Sequence, residues 1–215
     1  MNSLKVSLLS HFNKNSALED IAKALDKMET HKIAIAPWPE FGYQPDVSFK
    51  IAYSEDCIFL KYFVTEPEVR IVYQQPNDPV YKDSCVEFFM SFGEEKAYYN
   101  FEFNAIGTCL AAFGDDRHNR RSLPAAVIEQ TQSRTILQPF YSAGQRMVSW
   151  DITIKIPTAV FVNHYPASLK NLQCFGNFYK CGDDLKLPHY MVWNAITAPK
   201  PDFHLRAFFG SIRFD

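Results

Sequence analysis

The 215 residues are enough for one well-filled core and short of what two ordinary domains need, so one domain spanning residues 1–215 is expected. An apolar share of 47% against 21% charged excludes a disordered chain. A formal net charge of −2, with no run of five or six like charges, excludes a nucleic-acid binder that works through a basic stripe.

The opening residues Met1-Asn2-Ser3-Leu4-Lys5-Val6-Ser7-Leu8-Leu9-Ser10 hold no continuous apolar run and no small-residue cleavage site. Nothing further on approaches the roughly 20 apolar residues of a membrane span. Ser16, with Glu19 three residues later, reads as a capping box. Leu18, Ile21, Ala22, Leu25 and Met28 then recur at helical spacing. One helix is therefore predicted over 16–29, packed on a sandwich of about 31–215.

Strand patterns follow. Residues 47–53 and 57–65 flank the polar turn Ser54-Glu55-Asp56 and read as a hairpin. Residues 69–73 continue the pattern up to a Pro-rich loop over 74–82. Next come 85–92, 98–104 and 108–113, the last two joined by Ala105-Ile106-Gly107. Arg117-His118-Asn119-Arg120-Arg121, beside Asp115 and Asp116, reads as a solvated loop. Further strands are expected at 126–132, 135–140, 147–156, 172–180, 189–195 and 209–214. Many short strands without alternating helices predict an all-β fold of antiparallel pairs, a sandwich or a barrel. An aromatic share of 15% suits both strand packing and a binding surface.

Cys57, Cys85, Cys109, Cys174 and Cys181 are odd in number, and no pair has CxxC spacing. That leaves no zinc ribbon or redox motif. Together with the absence of a leader-like start, it predicts a reducing, cytoplasmic setting. Cys85, in an apolar strand, reads as a small core residue.

Alternation across a strand places Asn100, Glu102 and Asn104 on one side and Tyr99, Phe101 and Phe103 on the other. In the preceding strand, Asp83, Cys85 and Glu87 share a face. If Gly93-Glu94-Glu95 closes a hairpin, the loop length allows Glu87 and Glu102 on one polar face without fixing the register. Such carboxylates need partners or water, and Arg70 and Arg117 are the candidate cations. Short amides and carboxylates, with aromatic rings nearby, are the groups that take sugar hydroxyls and stack on sugar C–H faces. Tyr81, Trp193 and Phe203 are available as platforms.

At these residues the chain resembles the family 9 carbohydrate-binding modules, in particular family-9-like domains of the Bacteroides type. The resemblance lies in Asp83-Ser84-Cys85-Val86-Glu87-Phe88-Phe89 and Tyr99-Asn100-Phe101-Glu102-Phe103-Asn104-Ala105-Ile106-Gly107. It extends to Pro201-Asp202-Phe203-His204, Phe208-Phe209-Gly210 and, upstream, Glu66 and Arg70. It implies an antiparallel β-sandwich of jelly-roll or DOMON-like kind, with one short N-terminal helix, binding a mono- or oligosaccharide between aromatic side chains. Tyr81 holds the place of the family's first aromatic, a tryptophan in the xylanase modules. Glu87 matches the sugar-binding carboxylate, Asn104 an amide, and Glu102 stands where those modules carry a basic residue. The second platform is expected at Trp193, with Phe203 in reserve, and Arg117 and His204 complete the expected ligand contacts. The changes at Tyr81 and Glu102 weaken any inference of the family's reducing-end preference. Family members can carry structural calcium, but no dense Asp/Asn loop offers its six to eight oxygens, so no metal or cofactor is assigned.

Two other functions compete. Glu87 and Glu102 could be the acid and base or nucleophile of a glycoside hydrolase, although no nucleophile elbow, HExxH, P-loop or dinucleotide fingerprint occurs. His204, beside Asp202, reads as a histidine holding the C-terminal segment by hydrogen bonding. The third reading is a structural or protein-binding sandwich. Sequence leaves the oligomeric state open.

Overall fold

Apolar residues alternate along most of the chain, and the computed structural model, which describes residues 1–215, turns that pattern into thirteen strands. In chain order the elements are β1 (Ser3–Leu8), α1 (Leu18–Leu25), β2 (His31–Lys32), β3 (Asp46–Tyr53), β4 (Cys57–Glu66) and β5 (Cys85–Phe92). Next are β6 (Tyr98–Asn104), β7 (Cys109–Gly114), β8 (Arg120–Ser122), α2 (Ala125–Ile128), β9 (Gln132–Ser142) and β10 (Gln145–Pro157). The chain ends in β11 (Gln173–Cys181), β12 (Tyr190–Val192) and β13 (Gly210–Phe214).

Hydrogen bonds follow the order β8-β7-β6-β5-β11-β13-β1-β3-β4-β10-β9, folded into two layers. β1 joins the layers. Its first part runs parallel to β13, and Ser7 and Leu8 then run parallel to Ala52 and Tyr53 of β3. The other strand pairs are antiparallel. The result is the expected sandwich of jelly-roll kind, with α1 laid on the back layer through Ile21 and Leu25 against Ala52, Cys57 and Phe59.

Between the layers lies a core of 36 buried residues, which takes the inward faces of β5 (Val86, Phe88, Met90) and β6 (Tyr99, Phe101, Phe103). Phe49 of β3 stacks on Phe178 of β11 at 3.8 Å, a contact worth ~0.5–1.5 kcal/mol beyond its area. One ion pair is sealed inside: Lys180 Nζ lies 3.0 Å from Glu66 Oε2, both side chains fully buried. The outer face of the front layer is covered too. A second core packs there, where Trp38, Ile196, Phe203 and Phe209 join Phe89, Tyr98 and Tyr179 of the sheet.

Several expected elements differ, each for a local reason. Residues 69–73 form no strand because their amides bond to side chains: Val72 and Tyr73 N–H donate to Asp83 Oδ2 at 2.9 and 3.0 Å, and Arg70 N–H to Ser84 Oγ at 3.1 Å. The stretch 126–132 begins as the short helix α2, where Val127 and Ile128 N–H return to the Pro124 carbonyl. The capping box does not form. Ser16 Oγ accepts from Asn13 N–H instead, and α1 starts behind Ala17 without a side-chain cap. β1 and β8 went unread, although Leu4, Val6 and Leu8 alternate at strand spacing.

Candidate functional site

β5 and β6 pair as the anticipated hairpin, and the register sets Glu87 directly opposite Glu102 and Cys85 opposite Asn104. β11 pairs on the other side of β5, with Cys181 opposite Cys85. The outward faces of the three strands make the buried floor of a cavity of about 430 Å³, a size usual for small-molecule sites. Glu87, Glu102 and Cys181 form that floor. The walls come from connections: Tyr81 before β5, Asp183 after β11, Tyr190 on β12 and Phe41 before β3. Arg117, His118, Arg120 and residues Lys200 to His204 complete the lining.

Each floor carboxylate is held by one neutral donor. Asn100 Nδ2 donates to Glu102 Oε1 at 3.0 Å, and Cys181 Sγ donates to Glu87 Oε1 at 3.1 Å. Glu102 Oε2 is buried with no hydrogen-bond partner. No cation forms an ion pair with either group. Burial, then the adjacent Glu102 charge, holds the Glu87 carboxyl well above the usual carboxylate range. Burial pushes Glu102 up to about 7, against the nearby Arg120 and the Asn100 hydrogen bond. Burial likewise raises Asp183 to about 6.

His204 is fixed by its neighbours. Its Nδ1 lies 2.9 Å from Tyr98 Oη, and the Arg120 guanidinium bonds to its ring nitrogens. A neutral imidazole here accepts from Arg120 at its unprotonated nitrogen. Burial, reinforced by the charge of Arg120, drives its pKa down to about 2, so the ring is neutral.

The cavity brings together six residues singled out by sequence: Tyr81, Glu87, Glu102, Arg117, Phe203 and His204. Phe203 stands there as a wall rather than an open platform, because one face already stacks on Tyr179 at 4.2 Å. Two expectations are corrected. Trp193 is not a platform: it sits between the layers against Phe49 and Phe178, and its ring fills the space where a Cβ on Gly210 would fall. Asn104 is not free for a ligand. Its Nδ2 donates to Tyr73 O at 2.7 Å and Asp83 Oδ2 at 3.0 Å. Its Oδ1 accepts from Ile106 and Thr108 N–H in the turn where Gly107 takes φ 86°.

Arg70 serves Asp83 and not the floor carboxylates. Arg117 and His118 are exposed as a loop should be, yet they form the cavity rim. Phe41, Arg120, Asp183, Tyr190 and Lys200 were missed. Their only sequence signal was an aromatic or charge near a predicted strand end, and such residues are common.

Structural calcium finds no fit at the cluster of close donor atoms that the floor makes. Cys85, Glu87 and Cys181 offer two thiols and one carboxylate, far from six to eight oxygens.

The profile of carbohydrate-binding family 9 matches residues 17–214. A solved structure from Bacteroides uniformis ATCC 8492, provisionally described as a carbohydrate-binding protein, superposes with a TM-score of 0.90 at 32% identity, covering 100% of this chain and 99% of that one. A family 9 module from Caldicellulosiruptor kristjanssonii, solved with glucose, gives 0.55 at 12% identity over 100% of this chain and 96% of that chain. A structure of such a module from the same organism with cellotriose gives 0.55 at 13% over 99% and 93%. At those identities the likeness is one of fold. No curated protein matches. With a profile match over nearly its whole length and a full-length likeness at 32% identity, the chain belongs to carbohydrate-binding family 9, whose modules bind sugars and do not cleave them.

Proposed function

We propose that the cavity above Glu87 and Glu102 is the carbohydrate site, and that it takes a mono- or oligosaccharide. The observation that carries this reading is the unpartnered Glu102 Oε2 on the floor of a cavity walled by Tyr81, Phe41 and Tyr190. A buried acceptor without a donor is costly, and a sugar hydroxyl supplies the donor. Tyr81 and Tyr190 offer ring surface to the sugar's C–H face. Arg117 and Lys200 at the rim supply donors for hydroxyl and ring oxygens.

Glucose and cello-oligosaccharides head the panel to test, since the Caldicellulosiruptor structures hold glucose and cellotriose. Isothermal titration calorimetry is the measurement. All three tryptophans are buried and none lines the cavity, so their fluorescence is a poor reporter. Binding that Tyr81→Ala and Glu102→Gln both weaken supports the site. A broad glycan panel without response from folded protein overturns it.

The hydrolase reading is disfavoured by the match over nearly the whole chain to modules that bind sugars without cleaving them.

A further inference from the structure

The cavity floor also holds two thiols beside Glu87, chemistry that the sugar reading leaves unexplained. Cys85 and Cys181 are direct cross-strand partners on β5 and β11. Their thiols and a Glu87 carboxylate oxygen all lie within 4.8 Å of one another. All three side chains are buried, and neither cysteine is in a disulfide. Cys181 and Glu87 also reach the cavity wall, which gives an ion a path in from solvent.

We propose that Cys85, Cys181 and Glu87 form a binding site for one thiophilic divalent cation of the zinc type, with its fourth coordination position open to the cavity. Two sulfurs and one oxygen select a soft or borderline ion and discriminate against calcium and magnesium. Metal–sulfur bonds of roughly 2.3 Å at tetrahedral angles put ligand sulfurs about 3.8 Å apart. Closing up from the present spacing therefore takes only small side-chain rotations. Three protein ligands and one open position are the pattern of zinc sites that exchange a water or ligand oxygen.

The electrostatics are consistent with a cation there. Two thiolates and one carboxylate around a divalent ion leave one net negative charge, and Arg120 acts on the same floor to offset it. Burial pushes the Cys85 thiol up to about 12 and raises Cys181 as well, so the metal-free site holds its protons. Loading releases both thiol protons and that of Glu87 to solvent, with no change in oxidation state, so affinity rises with pH. The site stands on its own geometry and does not depend on the sugar reading.

The test is a titration of the reduced, chelator-treated full chain with Co²⁺ and Cd²⁺. One equivalent is expected to bind, with thiolate-to-metal charge-transfer absorption and, for Co²⁺, the visible bands of a four-coordinate ion that Zn²⁺ then displaces. Cys85→Ser and Cys181→Ser should each lower affinity at least ~100-fold and Glu87→Gln ~10–100-fold. Cys57→Ser, a buried cysteine elsewhere, should change nothing. If the cysteine variants do not fold, the unmodified protein decides the matter: bound metal should protect Cys181 from a thiol reagent, and equal labelling with and without metal overturns the site. Absence of the charge-transfer band at stoichiometric metal overturns it too, as does survival of that band in folded Cys85→Ser/Cys181→Ser. Calorimetry with sugars is run separately, so either proposal can fail alone.

Discussion

Glu87 and Glu102 face each other across neighbouring strands, buried on one sheet face with no ion-pair partner between them. Two such carboxyls resist ionising together. Their folded pKa values lie above the unfolded ones, so the native state binds more protons than the unfolded state in the window between. Stability from this source is complete below about pH 4.5, the ordinary value, and declines as pH rises through about 7 for Glu102. Glu102→Gln removes one titrating group and the repulsion with it. In metal-free protein, the variant's stability should fall less than the wild type's between pH 5 and 8, by up to ~3 kcal/mol. Urea unfolding across that range measures the difference. Parallel curves would mean that the pair does not titrate in this window.

The buried pair of Lys180 and Glu66 predicts the opposite behaviour on mutation. Lys180 Nζ forms an ion pair with Glu66 Oε2 at 3.0 Å and hydrogen bonds to His189 Nε2 at 2.7 Å and the Cys181 carbonyl at 2.9 Å. Glu66 Oε1 accepts from Trp150 Nε1 at 2.8 Å, and His189 Nδ1 donates to the Leu187 carbonyl at 2.9 Å. The network joins β4, β10 and β11. Lys180→Met strands a buried carboxylate and should destabilise the protein by about 3–5 kcal/mol. Adding Glu66→Gln to that variant should recover a large part of the loss. Denaturant midpoints for the two singles and the double give the coupling.

Asp83 ties the 70–73 segment to the end of β6. Its carboxylate accepts from Val72 and Tyr73 N–H, Asn104 Nδ2 and Arg70. Asp83→Ala would leave these donors unmet and should cost about 2–4 kcal/mol. Faster amide exchange at Val72 and Tyr73 than elsewhere would locate the damage. Uniform exchange across the chain would refute this local role.

How much of this was legible in the sequence depended on the range of the interaction. Residues 85–92 and 98–104 were readable to the residue, because alternation and a Gly-containing loop are local signals. The same hairpin allowed Glu87 and Glu102 to share a face, but its loop length did not fix the register, which the β5–β6 pairing sets. Residues 69–73 misled because a strand-like pattern was satisfied by Asp83 and Ser84, ten or more positions away. Trp193 misled because a large aromatic near a site can face either layer, and only β11's pairing decides which. Arg120 hid in a run of charge, and only the fold shows it turned inward onto His204.

Trp193 and Tyr81 therefore make opposite predictions that separate core from site. Trp193 packs edge-on to Phe49 and Phe178 at 6.2 and 5.5 Å between ring centres and is 6% exposed. Trp193→Phe should lower stability by about 1–3 kcal/mol and leave sugar affinity within a factor of two, because no ligand surface is lost. Tyr81 is half-buried on the cavity wall, held by backbone bonds: its carbonyl accepts from Asp183 N–H at 3.1 Å. Tyr81→Ala keeps those backbone bonds and removes the ring. Stability should change by less than ~1 kcal/mol, while affinity for the best ligand of the panel falls at least ~10-fold, about 1.4 kcal/mol. Calorimetry and thermal unfolding on the same samples check both. An affinity loss in Trp193→Phe without one in Tyr81→Ala would move the site away from the cavity.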